Sequence, residues 1–108
     1  MSADTSIRAT LADAIKGRTS VRMVYQGLER LCAPHILGRN VDDEPHVLVF
    51  QFGGGSHSGL PEGGAWRCMR LGEIAEVSPI DDPWCTVPTE GNPPPKCVTH
   101  VELQVALP

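Results

Sequence analysis

The chain has 108 residues, 41% hydrophobic and 20% charged, a size and balance that supports one hydrophobic core and excludes a large multi-domain enzyme. No apolar run approaches the roughly 20 residues a membrane span needs. Residues 1–18 lack a continuous apolar stretch, so they do not read as a signal peptide, and a cytoplasmic, reducing location is expected. The formal net charge of −4 excludes a global pull toward nucleic acid or acidic membranes, yet residues 1–40 carry six Lys/Arg against three Asp/Glu and residues 41–108 carry three against ten.

Asp4-Thr5-Ser6 offers N-cap oxygens ahead of Ile7, Leu11, Ala14 and Ile15, which recur at helical spacing, and Gly17 offers a stop; the expected helix is 5–16. From Ser20 the period becomes two. Val21, Met23 and Tyr25 share one face, Gln26-Gly27 is a turn signal, and residues 20–33 read as a hairpin. Pro34 should bend or end the second strand, since it cannot donate a ladder hydrogen bond. His46 to Phe52 is nearly all apolar and reads as a central strand buried on both faces.

Six of the eleven glycines fall between Gly53 and Gly64, which reads as a flexible, exposed loop. Ala65 to Leu71 and Ile74 to Val77 are two more strands joined tightly at Gly72. Six of the ten prolines lie between Pro79 and Pro95, an irregular segment. Thr99, Val101, Leu103, Val105 and Leu107 alternate with polar residues as a closing strand. The fold expected is mainly β with an N-terminal helix, a small SH3/Sm-like barrel of five or six strands. A single domain spans 1–108: helix 5–16, barrel strands within 20–78, a proline-rich irregular segment 79–96 and a closing strand 97–107.

Cys32, Cys68, Cys85 and Cys97 form no C-x-x-C pair, and in a reducing compartment they are expected as free thiols. Cys32-Ala33-Pro34-His35 and Cys97-Val98-Thr99-His100 resemble halves of a zinc site. Residues three apart on a strand point to opposite faces, however, so no metal or other cofactor is expected. The glycine loop lacks the Gly-Lys-Ser/Thr of a P-loop, and Ser56-His57-Ser58 puts histidine where a hydrolase elbow needs serine. Asp42-Asp43-Glu44 and Asp81-Asp82 read as solvated turn carboxylates. With no nucleophile–base pair to place, the chain reads as non-enzymatic.

Arginine carries the remaining signal, since seven of the nine basic residues are Arg, the side chain suited to bidentate contacts with carboxylate or phosphate. Arg67 and Arg70 should face opposite ways unless a bulge intervenes, while Arg22 and Arg30 accompany Tyr25 on the hairpin. These arginines either snorkel at a rim or, with Gln51, line a polar concavity. The second arrangement, made of Tyr25, Arg30, Gln51, Arg67 and Arg70, would bind an anionic small molecule or single-stranded nucleic acid by bidentate hydrogen bonds and stacking. The competing reading is a protein-interaction module that pairs a strand edge with a partner protein or a second copy.

Leu11-Ala12-Asp13-Ala14-Ile15, Val24-Tyr25, Arg30, Pro34 and the later Arg67-Cys68-Met69-Arg70-Leu71-Gly72-Glu73-Ile74 resemble, in order and spacing, the WYL domain family over residues 7–78. Pro-His-x-Leu-Gly at 34–38 and Trp66-Arg67 are similar to small stand-alone WYL-like bacterial proteins. The resemblance implies an Sm- or SH3-like barrel behind a helix, with a regulatory role in sensing a ligand. It also implies that Tyr25, Arg30, Arg67 and Arg70 occupy pocket positions. His46-Val47-Leu48 stands where the family carries Trp-Tyr-Leu, and Met69 where it carries Phe.

Overall fold

Ile7, Leu11, Ala14 and Ile15 form the buried stripe of helix α1 (Ala3–Gly17) in a computed structural model that describes residues 3–55, 59, 64–82, 84 and 95–105. The helix starts at Ala3, ahead of the expected residue 5, so Asp4-Thr5-Ser6 lies inside its first turn. Gly17 is the last helical residue, and the left-handed position falls on Arg18, with φ 50°. Thr19 N donates to Ala14 O at 2.8 Å and Arg18 N to Ile15 O at 3.4 Å. These are the two bonds of a Schellman termination.

Strands β1 (Val21–Tyr25) and β2 (Leu28–Arg39) form the expected hairpin. Gln26 (φ 52°) and Gly27 (φ 79°) are both left-handed, as a two-residue type I′ turn requires. Of the two outcomes expected at Pro34, the strand bends and does not end: β2 continues to Arg39 through a bulge, with Pro34 paired to Val49, Ile36 to Leu48, and His35 out of register. One inserted residue reverses the face of every side chain that follows. Cys32 faces the core before the bulge and Leu37 after it.

Strand β3 (Pro45–Gly54) lies between β2 and β4 (Ala65–Arg70) and is buried from His46 to Gln51, as its apolar run implied. Gly53 and Gly54 belong to this strand, opposite Leu31 and Arg30, and not to a flexible loop. Ser56-His57-Ser58 and residues 60–63 lie outside the described residues, as do residues 83 and 85–94 of the proline-rich segment. A 3₁₀ turn at Leu71–Glu73 leads into β5 (Ile74–Pro79), which pairs with β1. The final strand β6 (His100–Gln104) pairs with Ile36–Arg39 of β2.

All pairings are antiparallel, and the order is β4-β3-β2-β1-β5 with β6 attached to β2. The strands β4 and β5 occupy opposite ends of that order, yet three residues join them. The four Cα–Cα steps from Arg70 to Ile74 reach about 14 Å at most, so the sheet curls until its ends approach. Helix α1 packs against β2, β5, β6 and the 3₁₀ turn, and its Ile7, Leu11, Ala14 and Ile15 join one buried cluster with Val21, Met23, Val47, Val49 and Met69 of the inner face. No β4–β5 ladder closes the sheet among the described residues. The architecture is therefore a curled, six-stranded antiparallel sheet with one N-terminal helix. No described helix is long and apolar enough to cross a membrane.

The Schellman site makes a test of this local reading. Arg18→Gly places the residue without a Cβ at the left-handed position and should raise the unfolding free energy by about 0.5–1 kcal/mol in urea titrations. An unchanged midpoint would show that contacts of the Arg18 side chain offset the backbone strain.

Candidate functional site

Strand register decides which of the expected site residues meet. Arg30 lies opposite Met23 on β1, Gln51 opposite Cys32, and Arg67 opposite Val49. Met23, Cys32, Val49 and Tyr25 all belong to the inner core, so Tyr25, Arg30, Gln51 and Arg67 share the inner face. Arg70 does not join them. β4 is unbulged against β3, and Arg70 lies opposite His46 on the outer face, where its side chain is exposed. The expectation that all five residues line one concavity is corrected by the two-residue period of β4.

The inner-face polar groups are deeply placed. Arg30 is 4% exposed, and its guanidinium sits over the Tyr25 ring at 5.0 Å from the centroid. Its Nε is buried with no hydrogen-bond partner among the described residues, and none of the ion pairs among those residues involves it. Gln51 is fully buried, and its Nε2 donates to Gly53 O at 2.9 Å and to Gly55 O at 2.8 Å. Two carbonyl acceptors fix the amide orientation. Oε1 is thereby the remaining group, an acceptor buried without a partner. Arg67 donates through Nη2 to Gly59 O at 3.0 Å.

The glycines serve this packing. Gly54 has φ +85°, and a Cβ there would lie 2.7 Å from Arg30 Cα, so only glycine lets β3 pass this close to the arginine. Gly64 has φ +96°, and a Cβ there would meet Gln51 O at 2.5 Å.

Tyr25 joins the two ends of the sheet. Its hydroxyl donates to Glu73 Oε2 at 3.0 Å and accepts from Arg70 N at 3.2 Å. Burial raises its pKa, and the hydrogen bond to Glu73 works in the same direction. Cys32, which sequence reasoning left out of the site, lies between the arginines. Burial pushes its thiol up to about 12, while Arg30 and Arg67 pull it down. A thiol that stays protonated is no nucleophile, so this cluster offers hydrogen bonds and charge rather than covalent chemistry.

The outer face holds an aromatic group absent from the expected site. His35, 2% exposed, packs edge-on against Trp66 at 4.9 Å and tilted against Trp84 at 4.8 Å, and Trp66 meets Phe50 at 5.4 Å. The bulge after Pro34 turns His35 into this group, and its Nδ1 lies 2.7 Å from Ala33 O. Beside it, Cys68 is bonded to Cys97, with Cα atoms 6.3 Å apart. The free-thiol expectation is therefore corrected for this pair, retained for the buried Cys32, and lies outside the described residues for Cys85. Of the two C-x-x-H pairs, the first is divided between inner and outer clusters. The second has its cysteine in the disulfide and His100 exposed.

Arg70 lines a separate cleft of about 310 Å³ with Arg8, Glu44, Pro45, Leu71, Gly72 and Glu73. The charges of the two signs alternate there. Arg8 pairs with Glu102, Glu44 accepts from Asn40, and Glu73 accepts from Tyr25. Asn40 also organises the acidic turn: its Oδ1 accepts from Asp42 N at 3.0 Å and Glu44 N at 2.9 Å, leaving Asp42 and Asp43 exposed.

Burial lowers the His35 pKa from its ordinary value of 6.5, against an opposing contribution from the Ala33 carbonyl. Below pH 6.5 the unfolded chain thus binds a proton that the folded chain refuses, so stability falls as pH drops through and below that value. Urea unfolding at pH 7.5, 6.5 and 5.5 should show this decline, and His35→Phe should flatten part of it. Equal slopes in the two proteins would remove His35 from the cause. Comparison with protein-family models, with curated proteins and with solved structures finds no match to this chain.

Proposed function

We propose that this chain is a non-enzymatic regulatory module that binds an anionic, nucleotide-like ligand through Tyr25, Arg30, Gln51 and Arg67. In this reading the curled sheet is a half-closed barrel of the SH3/Sm kind, WYL-like in its sequence order, and the module works in the cytosol. The observation that carries the proposal is the burial of Arg30 without a carboxylate among the described residues. Burying an uncompensated guanidinium costs several kcal/mol, and apolar residues would pack the same volume without that cost. Arg22 and Arg39, both far more exposed, each pair with glutamate, whereas no carboxylate among the described residues pairs with Arg30. An anion from outside would complete the set.

Gln51 sharpens the ligand class. Its Oε1 is a buried acceptor on the same face of the sheet as the arginines, so the best ligand combines an anionic or acceptor group with an N–H or O–H donor. A nucleotide or a short single strand meets that requirement through its phosphate and its base or sugar donors, and hydrogen phosphate meets it through its own P–OH. The Tyr25 ring contributes a face already occupied by Arg30, so it orients the cation more than it stacks on ligand.

The test is anisotropy of short labelled single-stranded DNA and RNA, with nucleoside monophosphates and inorganic phosphate in parallel calorimetry. Arg67→Met should weaken binding by about 10–100-fold and Arg30→Met should abolish it, while Arg70→Ala leaves it unchanged. In ligand-free urea unfolding, Arg30→Met should be more stable than the parent by about 1–2 kcal/mol. Loss of stability in Arg30→Met, together with no binding of any probe at low salt, would overturn the proposal and make Arg30 a packing residue.

A further inference from the structure

The C-terminal stretch 95–105 is held to the sheet by little buried surface. Only Val105 in it is buried, at 6% exposure, with Cys97, Val98 and Leu103 half-buried and the remainder exposed, Val101 at 50%. Its backbone pairing covers β2 from Ile36 to Arg39, with a register shift between Leu37 and Gly38. Thr99 N donates to Arg39 O and Val105 N to His35 O, at 2.9 and 2.8 Å. Glu102 adds exposed ion pairs to Arg8 and Arg39, which hold weakly in water. Gly38 lets the stretch lie close, because a Cβ there would strike the His100 carbonyl and come within 2.8 Å of Val98 Cγ1.

The covalent tie supplies what this packing lacks. Cys68 on β4 is bonded to Cys97, 29 residues on, just ahead of β6. Both cysteines are half-buried, within reach of a small reductant, unlike the fully buried Cys32. We propose that the Cys68–Cys97 bond is a redox latch on β6. A cellular dithiol attacks it by thiol–disulfide exchange. The S–S bond breaks, two electrons and two protons arrive as two S–H groups, and the dithiol leaves as its own disulfide. With the tie gone, β6 opens locally while β1–β5 and α1 stay folded. The Ile36–Arg39 edge of β2 then presents unpaired N–H and C=O groups, the kind of edge another strand can join.

The experiment compares the full chain as purified without reductant and after treatment with dithiothreitol, by thiol titration and by peptide-resolved hydrogen exchange. Reduction should release two additional thiols in denaturant. It should speed exchange about a hundredfold in β6 and in residues 36–39, with β1 and the centre of β3 unchanged. Cys68→Ser/Cys97→Ser, measured without reductant, should reproduce the reduced pattern, and Cys32→Ser should not. Three outcomes would overturn the latch: no bond between Cys68 and Cys97 in the oxidised protein, equal β6 protection in both forms, or loss of protection in all strands together. The last would make the bond a structural staple for the whole domain.

Discussion

A three-residue turn between the two ends of the sheet, Leu71–Glu73, governs the rest of the molecule. Because the link from Arg70 to Ile74 reaches about 14 Å at most, the strands between those ends must bend. β2 and β3 accommodate that bend through register shifts at Leu31/Cys32 and at Pro34/Ile36. Tyr25 stands at the seam, with its hydroxyl bonded to Arg70 N and Glu73 and its ring beneath Arg30. The same curl makes the inner face concave, so that residues alternating along three different strands converge. An open, flat sheet of this order would leave Arg30, Gln51 and Arg67 spread along its width.

Convergence brings an energetic problem that the described residues do not solve among themselves. The inner face is chiefly apolar, from Val21 to Met69, and a cation within it loses hydration that the Tyr25 ring restores only in part. A structural arginine would be expected to bring a carboxylate, as Arg22 does with Glu29 at 2.7 Å. The Gln51 amide takes a neutral position instead, with its donors committed to Gly53 and Gly55 and its acceptor left over. Among the described residues the inner face therefore holds a buried cation and a buried acceptor, with Arg30 Nε and Gln51 Oε1 each lacking a hydrogen-bond partner.

The elements with an unbroken period were legible in the sequence. Alternation marked Val21, Met23 and Tyr25, the apolar run marked β3, and Gln26-Gly27 marked the turn, because each signal is local and its physics is complete within a few residues. The inner-face grouping followed from the same alternation for Tyr25 and Arg30, and the separation of Arg67 from Arg70 followed from a regular β4. What stayed hidden depends on insertion or on distance along the chain. A bulge adds one residue without a compositional mark beyond Pro34, and it alone sends His35 to the outer face. The Cys68–Cys97 bond and the meeting of His35 with Trp66 and Trp84 join segments far apart in sequence, which no period records. The glycines of 53–64 looked like loop chemistry, whereas Gly54 and Gly64 are required by close backbone approach.

These features divide the sheet into two faces with different chemistry. The inner face carries the helix, the core and a buried, electron-poor group of donors. The outer face carries rings, a disulfide and the strand edge to which β6 attaches. β4 belongs to both, since Arg67 faces inward and Cys68, its immediate neighbour, faces outward to Cys97. β4 thus sets an inner-face guanidinium and the disulfide that anchors the C-terminal stretch one peptide unit apart, so the two faces of the sheet share a single backbone segment.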